Sequence, residues 1–173
     1  MGDNINQVFD FKVSDSSENF STWINRQYIP QDLRGTLQDV NILFVPYENF
    51  RDQKIPVFAH KTEEIFHFFQ EHAPAGVNVN VCIADDDYKE IALHSDLIII
   101  GGIIVSAVVL PVFVNLLSEY LKRKLFKSPN SKIRIVLTVV DSTSGAKQFE
   151  YEGPADSFGK AVSEIQCQGK NSQ

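Results

Sequence analysis

Apolar and polar residues along the chain form short strand-like runs that alternate with helix-like segments. Nearly continuous apolar residues over 40–45 predict a strand buried on both faces, and Pro46 ends it. Acidic residues followed by paired apolar ones over 60–73 predict an amphipathic helix. Residues 77–84 first alternate in polarity and then become wholly apolar, which predicts the next strand. This order is typical of an α/β domain.

The C-terminal part predicts a hairpin followed by a helix. Residues 133–140 and 147–152 are strand-like and are separated by a turn at 141–145, and a helix is expected from Asp156 to about Gln166. A weaker strand over 8–13, a short helix over 22–28 and another over 88–93 are also predicted. The fold class is therefore α/β, with a central largely parallel sheet, helices, a late antiparallel β-hairpin and a C-terminal helix. We expect a single domain over 1–166 and a disordered tail over 167–173.

One long apolar stretch allows two interpretations. Leu97–Ser118 contains 22 consecutive uncharged residues, which is long enough for a transmembrane helix. Alternatively, Gly101-Gly102 forms a turn between a buried strand at 97–100 and a helix from Ile103 to about Leu125. The second interpretation is favoured, because only 15 residues then remain between Ile103 and Leu117. A membrane anchor at 97–118, and thus an inner-membrane location, stays the alternative.

The charge and the cysteine content indicate which partners and which cellular location to expect. The net charge of −6 argues against nucleic-acid binding. Residues 1–96 hold 7 basic and 16 acidic residues, whereas residues 97–173 hold 9 and 6, so the two halves would meet different partners or each other. Two cysteines without metal-ligand or disulfide spacing, and no secretory signal, predict a cytoplasmic location.

Two clusters of charge are candidate sites. One cluster has six basic residues and no acid among them, and it could form an interaction patch: Lys122, Arg123, Lys124, Lys127, Lys132 and Arg134. Alternatively, these residues are the cationic end of a helix followed by a solvated loop. Asp85, Asp86 and Asp87 follow a predicted strand and could bind Mg²⁺, although acids at this position also charge the first turn of a helix. No cofactor is predicted, and no nucleophile with a base stands out.

The segment from Ile103 onward contains an apolar helix with a basic end, then KIRIVLTVV, KQFEYEG and PADSFGKAVSEI. Residues 103–166 resemble, in this order of elements, the small effector-associated constant components of bacterial conflict (anti-phage) systems. The resemblance implies a non-catalytic organiser placed beside a variable effector, and it carries over no catalytic residue. The acidic N-terminal half has no counterpart in it.

These observations predict a non-enzymatic interaction or adaptor component of a multiprotein assembly, within an antiviral defence system if the resemblance holds. A protein partner is expected. The alternatives are a membrane-anchored accessory protein with its helix at 97–118, and a Mg²⁺-dependent enzyme or nucleotide binder at Asp85–Asp87.

Overall fold

A six-stranded mixed sheet is the centre of the part of the chain that this computed structural model describes, namely residues 10–93, 97–125, 131–143 and 145–163. The strands are β1 (Asp10–Ser16), β2 (Ile42–Val45), β3 (Phe58–Ala59), β4 (Val79–Val81), β5 (Glu90–Ile91), β6 (Ile98–Ser106), β7 (Lys132–Asp141) and β8 (Gly145–Pro154). The helices are α1 (Phe20–Ile24), α2 (Gln31–Leu37), α3 (Thr62–His72), α4 (Leu110–Lys124) and α5 (residues 158–163). The predicted tail at 167–173 lies outside the described residues.

The α/β class is confirmed, but the sheet is not largely parallel. Its order is β1-β8-β7-β6-β2-β4, and only the pairs β7–β6 and β2–β4 are parallel. The prediction failed at residues 88–93, where a crossover helix was expected and the chain instead contains the short strand β5, paired with β3. Without a crossover helix after β4, the chain returns along β2 in the opposite direction as β6.

In the long apolar stretch, the change from strand to helix occurs later in the sequence than predicted. Gly101-Gly102 forms no turn but lies inside β6, where the pairing with β7 shifts by one residue between Ile100 and Gly102. The β-branched residues after the glycines continue the strand, because β6 is covered on both edges by β2 and β7. A short 3₁₀ turn at Ala107–Val109 precedes α4, so the helix predicted from Ile103 begins only at Leu110.

This division also corrects the alternative of a membrane helix at 97–118, since a strand occupies the first part of that segment. Among the described residues, no helix combines the length and the apolar character that a membrane crossing requires. Helix α4 is amphipathic: it buries Phe113, Leu117 and Leu121 and exposes Asn115 and Glu119.

Helices cover the two faces of the sheet unequally. On one face, α3, α4 and α5 pack on β2 and β6–β8 and bury the larger apolar cluster. On the other face, α1 and α2 cover only the region around Leu43, Val45 and Ile104, with Cys82 beneath them. Burial raises the pKa of the Cys82 thiol to about 12, so this cysteine is an inert core residue. Among the described residues, no helix covers the first half of β7, β8 or β1 on this second face.

Glu90 of β5 caps the N-terminus of α3, although it does not belong to that helix. Its carboxylate accepts hydrogen bonds from the backbone N–H groups of Lys61 and Glu63, at 2.8 and 3.1 Å, and from the Tyr88 hydroxyl at 2.6 Å. Burial by itself would raise the pKa of Glu90, but these bonds and nearby His60 favour the charged form, and the net result is a lowered pKa. Glu90 therefore takes the role that an N-cap side chain normally fills.

We expect Glu90→Gln to lower the free energy of unfolding by about 1 kcal/mol, the usual effect of losing a helix cap. Because the pKa of Glu90 is lowered in the folded protein, its contribution is present above the unfolded-state pKa and is lost as pH falls through the folded one. Urea unfolding from neutral to acidic pH should thus show a difference between wild type and variant that shrinks in acid. Glu71→Gln, on an exposed position late in α3, is the control. An equal difference at all pH values would contradict the role of charge.

Candidate interaction groove

The three aspartates predicted as a metal site lie on an exposed 3₁₀ turn, Asp85–Asp87, that follows β4 after residues 82–84. Within the described ranges, no three histidine, cysteine, aspartate or glutamate side chains are grouped so that they could hold a metal ion. The three aspartates themselves therefore form no such group.

The basic residues at the end of α4 contact the acidic half of the chain. Lys124 forms an ion pair with Glu64 of α3. The Arg123 guanidinium lies over the ring of Phe68, 5.1 Å from its centroid, with its Nε 3.9 Å from Glu119. Lys124 and Arg123, which were predicted to contact a partner, thus bind residues of α3 instead. Lys122 is exposed.

The predicted patch is not one surface. Ile133 and Ile135 pack in the cluster that contains α4, and side chains alternate along a strand, so Lys132 and Arg134 point to the opposite face of the sheet. Lys127 lies outside the described residues. The sheet consequently separates Lys122, Arg123 and Lys124 from Lys132 and Arg134.

Arg134 instead belongs to a groove on the uncovered sheet face, with a volume of about 700 Å³. We call it the open-face groove. Its floor is formed by partly buried Ile99 and Val136 and by charged side chains from the three outer strands. These charged residues are Asp10, Lys12, Arg134, Glu150 and Glu152.

The wall of the open-face groove is the segment between β2 and β3. Backbone hydrogen bonds in both directions join Tyr47 and Val57 and close this segment into a loop. The rings of Tyr47 and Phe50 lie 5.3 Å apart, and the Arg51 guanidinium lies 5.1 Å from the centre of the Phe50 ring. Arg51 has a φ of 53°, a left-handed conformation that costs free energy in a non-glycine residue and is held here by the loop.

The charges on the floor are arranged in rows across the strands. The register places Glu152 between Arg134 and Asp10, and Glu150 between Val136 and Lys12. Arg134 donates two hydrogen bonds to Glu152, at 2.7 and 3.0 Å. Asp10 thus lies directly opposite a second acid, which is an unfavourable arrangement in an isolated sheet.

Tyr47 of the wall and Arg134 of the floor interact electrostatically. Burial raises the pKa of the Tyr47 hydroxyl, and the positive charge of Arg134 acts in the opposite direction. Tyr47 accordingly stays neutral near pH 7, as an aromatic surface with a hydroxyl able to donate a hydrogen bond. None of the described residues that line this groove is a cysteine, histidine or serine.

Sequence reasoning missed the open-face groove, although one signal was present. The alternation in KIRIVLTVV and KQFEYEG predicts that one face of the hairpin is polar and lies away from the core. The loop after β2 carried no recognisable motif. Comparisons with protein-family models, with curated proteins and with solved structures give no match.

Proposed function

We propose that this chain is a non-enzymatic component of a multiprotein assembly that binds a protein partner through the open-face groove. The observation that carries the proposal is the uncovered sheet face, where Tyr47, Phe50 and two arginines border a cavity of about 700 Å³. Tyrosine and arginine are enriched among the residues that dominate protein–protein binding energy.

The partner is expected to contact the aromatic wall. A Phe50→Ala substitution removes one of the two neighbouring rings and the surface on which Arg51 lies. If Phe50 is a central contact, its loss should weaken partner binding by about 2 kcal/mol, or about thirtyfold. The measurement is quantitative recovery of the partner from cells that carry the tagged full chain at native level, after crosslinking in the living cell.

Val108→Ala is the matched control for this experiment. Val108 is the most exposed large apolar residue in the described part, at 84%, and it lies beyond the end of β6 opposite to the groove. It should leave recovery unchanged, and thermal unfolding of both variants excludes a general loss of fold. Equal recovery of the same partner with Phe50→Ala and wild type would refute the groove as the contact surface.

The resemblance of residues 103–166 to constant components of anti-phage systems supports a further part of the proposal. In that case the assembly is a bacterial antiviral defence system, and the chain organises an effector without acting on a substrate itself. The identity of the crosslinked partner tests this part separately. An effector encoded beside the chain would support it, whereas a partner from an unrelated process would contradict it and leave the binding role in place.

A further inference from the structure

We infer that the open-face groove takes an extended polypeptide segment that lies across the strands, with an acidic side chain on Arg51 and a basic side chain on Asp10. This inference rests on the proposed function, because it names the kind of partner for the same groove. It follows from the charges that the groove leaves at its two ends.

The inner charges of the groove already have neighbours of opposite sign. Arg134 binds Glu152 through two hydrogen bonds. Lys12 lies directly opposite Glu150 in the β1–β8 register. Ligand charge therefore gains little from these central positions, since it would have to displace an existing neighbour.

The charged residues at the two ends of the groove, Asp10 and Arg51, lack such a neighbour of opposite sign among the described residues. Asp10 lies opposite Glu152, which Arg134 already engages, so a cation from a partner would relieve the repulsion between the two acids. Exposed Arg51 lies on the Phe50 ring and has no ion pair with a described residue. One end of the groove thus favours a basic group and the other an acidic group.

The spacing of these ends fits a polypeptide. Arg51 and Ile99 both line the groove, and β6, which carries Ile99, lies three strand spacings from β1, which carries Asp10, in the order β6-β7-β8-β1. Three spacings of about 4.8 Å give about 14 Å, the length of about four residues of extended chain. Between the ends, partly buried Ile99 and Val136 offer apolar contact to the intervening side chains.

The test uses the full-length chain and three labelled peptides with charged residues four positions apart and valine and serine between them. One peptide carries glutamate and arginine, one carries two glutamates and one carries two arginines. Fluorescence anisotropy at low salt should show that the mixed-charge peptide binds about tenfold more tightly than either other peptide.

Charge reversal at each end should then redirect the preference. Arg51→Glu is expected to favour the peptide with two arginines, and Asp10→Lys the peptide with two glutamates. Arg123→Glu and Glu71→Lys reverse exposed charges outside the groove and should leave the preference for mixed charge unchanged. Equal binding of all three peptides, or the same preference in every variant, would overturn the inference.

Failure of this inference differs from failure of the proposed function. If Phe50→Ala abolishes recovery of the native partner while the peptides show no charge preference, the groove binds a partner of another chemistry. If Phe50→Ala leaves recovery intact, the groove is not the contact surface, whatever the peptides do. A preference that follows both charge reversals would support the inference directly.

Discussion

Replacing Phe113 by alanine is expected to lower the free energy of unfolding by about 3–5 kcal/mol, as for other large aromatic residues in cores. Phe113 is fully buried, and its ring meets that of Phe69 edge to face, with centroids 5.7 Å apart. The substitution therefore leaves a cavity between α3 and α4, where neither helix can move closer without breaking other contacts. Most small domains are stable by only about 5–15 kcal/mol, so the variant should be close to unfolding.

Urea unfolding followed by circular dichroism measures this loss. Val108→Ala removes apolar atoms from an exposed residue just before the same helix and should change stability by less than about 0.5 kcal/mol. A loss below about 1 kcal/mol for Phe113→Ala would mean that α4 is not packed as described.

Gly102→Ala should be the most damaging conservative change in β6, with a loss of about 1–3 kcal/mol. An added Cβ at Gly102 would lie 2.9 Å from Cγ2 of Val45, well inside normal contact distance. Val45 is buried and β-branched, so its side chain has few other conformations to adopt. The neighbouring strand would have to shift at the point where β6 pairs with β2.

Gly101→Ala is the matched control, because a Cβ at that position would lie 3.6 Å from Cβ of Ala59, an ordinary contact. The source of the strain can be tested in a double-mutant cycle with Val45→Ala, which removes the offending methyl groups. The loss caused by Gly102→Ala should be smaller in the Val45→Ala background than in wild type. Equal losses at Gly101 and Gly102, or a strictly additive cycle, would contradict the close contact.

The sequence predicted correctly those helices and strands whose buried face is marked by the polarity pattern of their own residues. Helix α3 has acids in its first turn and apolar residues on one side, and it was predicted at nearly its observed bounds. The hairpin of β7 and β8 was marked by two alternating segments around a turn. Segment 97–125 was predicted less well, because a short apolar run rich in isoleucine and valine fits a buried strand and a buried helix equally. Only pairing with β2 and β7 decides between them.

The open-face groove is formed by residues that are far apart in the sequence, so no local pattern predicts it. Its floor requires the register that places Asp10 beside Glu152, and its wall requires the loop that Tyr47 and Val57 close. The interaction patch failed as a single surface for a related reason. The five described basic residues of the patch are divided between two faces by the alternation of β7, which points Arg134 away from α4.

The pairing of β1 with β8 has a consequence for the order of folding. Asp10 and Glu152 are partners in the sheet although 142 positions separate them in the chain. During synthesis, β1 leaves the ribosome well before β8, so its partner strand does not yet exist. Contacts of such long range are formed late and slow down folding. The edge that carries Asp10 and Lys12, and with it the open-face groove, is therefore completed only after translation has passed β8.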